Sequence, residues 1–158
     1  MCRRIALAAA AVAAVAGLAV PAAGASRHML VGINDEANTL YGNPDRTFPI
    51  LRQLRTQVLR VNMYWGGRFG VALERPQNAA NPGDPAYDWS LYDRTVNYAA
   101  QYGIKIVFSI YGTPGWANGH RGLNRAPRRF ADLQRFAAAA ARRYSGTFRG
   151  SDRRRLPH

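Results

Sequence analysis

The sequence predicts an α/β fold of about three βα units with parallel strands, arranged as part of a closed barrel. Three observations carry that expectation. Short apolar stretches alternate three times with stretches of helical period, which requires parallel strands joined by helical crossovers. The second strand, VLRVNMYW at 58–65, divides into an apolar alternate set (Leu59, Val61, Met63, Trp65) and a polar one (Val58, Arg60, Asn62, Tyr64). A guanidinium and an amide under a helix layer would lack partners, whereas the inner face of a barrel near the strand's C-terminal end accommodates them. Finally, GINDEANTLYG after the first strand matches neither a dinucleotide nor a phosphate loop, as an open doubly wound sheet would favour.

Residues 1–25 read as a secretory signal peptide and are set apart from the fold. Arg3 and Arg4 give a positive start, Ile5 to Val20 is an apolar run, and Ala23-Gly24-Ala25 is a small-residue cleavage site. The run is shorter than the ~20 residues of a bilayer span. The arginine pair leaves both the general and the twin-arginine export routes open. The single cysteine, Cys2, lies inside this segment, so residues 26–158 contain no thiol. The expectation is a secreted protein with no membrane segment after cleavage.

The mature chain is expected to begin with a strand at 28–34. Thr47 is expected to cap a helix that reaches about residue 56, with Pro49 in its first turn. Strand two follows at 58–65, then a Gly/Pro/Asn-rich loop at 66–86. Asp88 is expected to cap a second helix that Gly103 stops. Strand three spans 104–111. A third helix runs from Pro127 to Tyr144, with Phe130, Leu133, Phe136, Ala137, Ala140 and Tyr144 on one side. Arg142 and Arg143 there complement the helix dipole, and Gly146 ends it. Trp89 and Tyr92 are expected to pack against the sheet.

The net charge of +13 raises the question of nucleic acid. Of the 22 basic residues only Lys105 is not arginine, and no basic stripe forms before the last ten residues. Spread charge of this kind supports only non-specific affinity, so no specific nucleic-acid partner is expected. Residues 149–158 read as a basic tail, either disordered or the point where the natural βα pattern is interrupted. Three units cannot close a barrel, so self-association through open strand edges is a further expectation.

Several stretches together resemble the N-terminal portion of cellulase-like (β/α)8-barrel glycoside hydrolases, the clan that includes families 5 and 39. They are GIND near strand one, LRVNMYW, YDWSLYDRTVNYAAQYGIKIVFSI, TPGWANG and PRRFADLQRFAAAAARRYSG, covering roughly residues 29–148. The resemblance implies a secreted TIM-barrel enzyme of carbohydrate metabolism that hydrolyses O-glycosidic bonds in β-linked polysaccharides or glycosides. It also implies that the acid/base and nucleophile glutamates belong to strands four and seven, beyond the three units read here, so that this portion alone is inactive. Retaining glycosidases need two carboxyl groups ~5 Å apart. The only glutamates, Glu36 and Glu74, lie in expected loops. Asp35 and Glu36 point in opposite directions on an extended segment, and Glu74 and Asp84 read as solvated surface charges.

What remains is a substrate lining of Asp35, Arg60, Asn62, Tyr64, Trp65, Tyr111, Trp116 and Asn118. The resemblance implies for Arg60 the strand-two arginine that supports the nucleophile. Tyr64 and Trp65 read equally as core and as lining. Trp116 and Asn118, in the FSIYGTPGWANG exit from strand three, read as a sugar platform and a hydroxyl partner, with loop packing as the competing reading. No metal or other cofactor is expected: His28, His120 and His158 lack companion ligands, and no serine elbow is present. A non-catalytic secreted carbohydrate-binding module is the alternative function.

Overall fold

A computed structural model describes residues 26 and 29–149. Residues 1–25, read above as a signal peptide, and the arginines at 153–155 lie outside the described residues. The chain is a mixed α/β fold around a three-stranded parallel sheet of order β1-β2-β3. The strands are β1 (Gly32–Ile33), β2 (Val58–Tyr64) and β3 (Lys105–Tyr111). Helices α1 (Glu36–Thr39) and α2 (Pro44–Gln53) join β1 to β2, and α3 (Ser90–Gln101) joins β2 to β3. A single turn, α4 (Gly115–Asn118), and the long α5 (Phe130–Arg143) follow β3.

The alternation of β2 is realised as two faces. Leu59, Val61 and Met63 are buried, and with Ile106 and Phe108 of β3 they pack against Phe48 of α2, Tyr92 of α3 and Phe136 of α5. Register pairs Arg60 with Val107, Asn62 with Ser109 and Tyr64 with Tyr111, so these residues share the opposite face. No helix among the described residues covers that face, and Val107 and Tyr111 stand half-exposed on it at 51% and 48%.

Phe136 sits at the centre of the covered side. Its ring stacks between Trp65 (centroids 5.6 Å) and Trp89 (5.7 Å), and Trp116 meets Trp65 edge-on at 5.6 Å. The α3–α5 contact is ionic as well as apolar. Arg143 Nε donates to Asp93 Oδ1 at 2.8 Å, its Nη2 donates to Oδ2, and the Tyr144 hydroxyl donates to Oδ1 at 3.0 Å. Arg143 therefore does more than complement the α5 dipole: it ties the end of α5 to α3 and lies over the Trp89 ring.

Several boundaries differ from the sequence expectation. Only two residues of the first strand pair with β2, although Val31 O still accepts from Gln57 and Val58. Helix α2 starts at Asn43-Pro44, not at Thr47: the Asn43 side chain accepts Asp45 N–H and Pro44 occupies the first position, leaving Pro49 inside the helix. Asp88 precedes α3 by two residues and accepts Ser90 N–H at 3.0 Å. Phe130 is 73% exposed rather than on the buried side of α5, because the inward arc runs through Asp132, Phe136, Ala139 and Ala140.

The 66–86 loop is ordered by a group expected at the surface. Asp84 is buried and accepts Asn78 N–H at 2.7 Å and Ala86 N–H at 3.0 Å. Burial of a carboxylate is affordable where backbone donors replace water. Trp89 Nε1 and Arg143 Nη1 both donate to Pro82 O, fastening the loop to α3 and α5. Gly66 lets the exits of β2 and β3 touch: a Cβ there would lie 2.4 Å from Pro114 Cα.

Two expectations follow. Phe136→Ala removes the ring that both tryptophans stack on and costs about 3–5 kcal/mol in urea unfolding; a loss below ~1 kcal/mol would contradict the stack's central role. Burial above all, and then neighbouring carboxylates, raise the phenols of Tyr87 and Tyr144 above their ordinary value of 10.0, and burial raises that of Tyr92. A raised folded-state value leaves stability intact below the unfolded value and erodes it above. Stability is thus expected to hold to about pH 10 and to fall beyond it, by up to ~1.4 kcal/mol per pH unit for each such tyrosine. Tyr144→Phe would flatten that alkaline slope in pH-dependent denaturation.

Candidate functional site

Past Ile33 the first strand leaves the sheet, and the β1-facing backbone of β2 would be unpaired. Side chains replace the missing strand. Asn34 Nδ2 donates to Arg60 O at 2.8 Å, and Glu36 Oε1 accepts Asn62 N–H at 2.7 Å. The Tyr92 hydroxyl accepts Tyr64 N–H at 2.8 Å and reaches Asn62 O at 3.4 Å. Val71 N–H completes the series at Tyr64 O, 2.8 Å away. Each buried or half-buried strand group finds a partner, as such groups must.

That substitution brings a carboxylate to the C-terminal end of the free face. Glu36, read as a loop residue, is half-buried, and with burial it raises the phenols of Tyr64 and Tyr41. Beneath it Arg60 Nε donates to Ser109 Oγ at 3.0 Å, and Arg60 Nη2 lies 3.4 Å from Asn62 Oδ1. Tyr64 meets Tyr111 edge-on at 5.4 Å, and the Tyr111 hydroxyl donates to Asn124 Oδ1 at 3.0 Å. Above them Tyr41, Tyr64, Phe69 and Leu123 line an open groove of about 390 Å³. Tyr41 and Phe69 are exposed, with ring centroids 5.4 Å apart.

Of the residues singled out in the sequence, Arg60, Asn62, Tyr64 and Tyr111 share this face. The other four are engaged elsewhere. Asp35 caps α1, accepting Asn38 N–H at 3.2 Å and Asn38 Nδ2 at 2.7 Å. Its carboxylate thereby diverges from that of Glu36, which reaches β2. Trp65 is in the core, since alternation turns it to the helix side. Asn118 is fully buried: its Oδ1 accepts Arg121 N–H and its Nδ2 donates to Gly122 O and Arg125 O, so it staples its loop and cannot face a ligand. Trp116 is half-buried against Trp65 and donates its Nε1 proton to Ala72 O at 3.0 Å.

The face also contains residues that sequence reasoning passed over. Tyr41, Phe69 and Asn124 lie in breaker-rich stretches without periodicity, so no local pattern marked them. For Glu36 the signal was present in the GIND-E run directly after strand one, where strand-end side chains converge. Among the described residues no group of three or more His, Cys, Asp or Glu side chains forms a metal site, and no helix is long and apolar enough to cross a membrane. No protein-family model, curated protein or solved structure matches this chain.

The face combines hydroxyl, amide and guanidinium groups with flat aromatic rings. Glu36→Ala leaves Asn62 N–H without its acceptor and is expected to cost about 1–3 kcal/mol, whereas Glu36→Gln retains an oxygen and costs less. Glu36→Gln should also lower the Tyr64 phenol pKa, read by ultraviolet titration, because it removes the nearby negative charge. Equal costs for the two variants would show that the carboxylate does not carry the strand-capping role.

Proposed function

We propose that these βα units form the first part of a cellulase-like (β/α)8 barrel of the glycoside-hydrolase type, secreted by residues 1–25, and that their free face binds a β-linked glycan. The observation that carries the reading is the polar alternate set of β2. Arg60, Asn62 and Tyr64 occupy a sheet face without helices that leads to the C-terminal strand end at Tyr64, the end where barrels of this architecture hold substrate. Tyr64, Tyr111, Tyr41 and Phe69 supply rings for the apolar faces of sugars, and Asn62 and Arg60 supply partners for hydroxyls.

Cleavage is a separate matter. The carboxylates of Asp35 and Glu36 go to different partners, so the described residues support binding without the converging pair that hydrolysis requires. This favours a second reading, a non-catalytic carbohydrate-binding module. Both readings share the binding face and differ in turnover.

Calorimetric titration of the mature chain with cellohexaose and mannohexaose tests the shared part. Tyr64→Ala and Tyr111→Ala are each expected to weaken binding about tenfold or more, ~1.4 kcal/mol. Trp116→Phe, on the opposite side of the sheet, should leave it unchanged. Undiminished binding by both tyrosine variants would overturn the assignment of the face. Release of reducing sugar from the same oligosaccharides separates enzyme from module.

A further inference from the structure

A second pocket opens on the flank of the sheet away from the free face, between the 66–86 loop and the start of α5. Its volume is about 320 Å³, and its lining includes Arg75, Trp116, Arg129, Asp132 and Arg135. Three guanidiniums thus face one carboxylate. Asp132 is buried and largely committed to Arg129, whose Nη2 lies 3.1 Å from Oδ1 and whose Nε lies 3.3 Å from Oδ2. Arg135 Nη1 stands 3.8 Å from the same Oδ1, beyond hydrogen-bond reach. Among the described residues Arg75 has no acidic partner. Its guanidinium carbon lies over the Trp116 ring, 5.0 Å from the centroid, and Nη2 donates to Trp116 O at 3.1 Å.

The arrangement is preorganised. Trp116 is fixed by its bond to Ala72 O and its contact with Trp65, so the guanidinium resting on it is held in place before any ligand arrives. Arginine forks suit planar oxyanions through paired N–H donors. All three guanidiniums retain N–H donors beyond those committed to Asp132 and Trp116 O, and their mutual repulsion is relieved by an anion. The exposed amides of Gln77 and Asn78 line the same pocket and offer partners to hydroxyl groups.

We infer that Arg75, Arg129 and Arg135 form a binding pocket for the carboxylate or sulfate group of an acidic saccharide. The anion half of this assignment stands on the guanidiniums alone. The saccharide half rests on the glycan reading of the neighbouring face, which hangs on the same loop through Phe69. Trp116 acts here as the platform for an arginine rather than for a sugar ring.

The test is calorimetric titration of the mature chain with trigalacturonate, a sulfated carrageenan tetrasaccharide, cellotriose, and tricarballylate, which carries three carboxylates and no sugar. Trigalacturonate or the sulfated sugar is expected to bind at least tenfold tighter than cellotriose and tricarballylate, and the stronger of the two identifies the anion. Arg75→Gln and Arg135→Gln should each weaken that binding about tenfold and reduce its salt dependence, while Arg52→Gln, exposed on α2, leaves both unchanged. The Arg135 side chain is 56% exposed, so its replacement carries the test even where Arg75→Gln unsettles the loop. Trigalacturonate and sulfated-sugar binding that is indifferent to Arg135→Gln, or tricarballylate binding as tight as either, would overturn the inference. So would tighter binding of a single-stranded oligonucleotide of equal charge. Arginine-dependent acid-sugar binding together with no Tyr64-dependent cellohexaose binding would uphold this pocket and refute the free-face reading.

Discussion

The structure depends on the alternation within one strand. β2 lies between the other two, and its successive side chains must point to opposite faces. Leu59, Val61 and Met63 recruit helices to one face by burial, at roughly 1.5–3 kcal/mol for each such side chain. Arg60 and Asn62 forbid helices on the other, since a helix layer would strip their water and return too few hydrogen bonds. A three-stranded sheet covered on one side follows directly, and so does a polar surface where ligand chemistry becomes feasible.

That one-sidedness creates a difficulty which the chain resolves locally. β1 pairs for only two residues, so five of the seven residues of β2 have no β1 partner. Asn34, Glu36 and Tyr92 complete the ladder from three different elements. The same contacts shape the free face: Glu36 is held at β2 because Asn62 N–H needs an acceptor. Stability and site chemistry therefore share a carboxylate. Burial above all, with this carboxylate adding to it, disfavours ionisation of the neighbouring Tyr64 and Tyr41.

The opposite side shows a division of labour between apolar and ionic contacts. Phe136 between two tryptophans supplies area and ring geometry, while the Asp93–Arg143–Tyr144 cluster fixes how α5 meets α3. Because Arg143 has a bidentate partner and little solvent exposure, the pair specifies geometry more than it adds net stability, its attraction being offset by desolvation. The 66–86 loop, ordered within itself by Asp84 and fastened to the same helices through Pro82, links the aromatic groove to the arginine pocket. It lends Phe69 to the groove and Arg75 to the pocket.

Much of the fold was legible from residue order. The parallel α/β sheet, the strands at 58–64 and 105–111, the stop at Gly103 and the burial of Trp89 and Tyr92 all follow from periodicity and turn chemistry that act within a few residues. The split of β2 was equally local, and it led to Arg60, Asn62 and Tyr64 on one face. Contacts between segments distant in the chain could not be read that way. Whether Trp116 packs or is presented, whether Asn118 meets a ligand or staples its own loop, and whether Asp84 is solvated or buried each depend on partners supplied by the completed fold. Glu36 is the clearest case: its backbone belongs to a four-residue helix, yet its carboxylate is placed by a strand 26 residues later. Sequence alone determined which residues alternate, and therefore which faces are wet or dry. Only tertiary structure decided which polar groups remain free, because a hydrogen bond is a property of two segments and the chain encodes them one at a time.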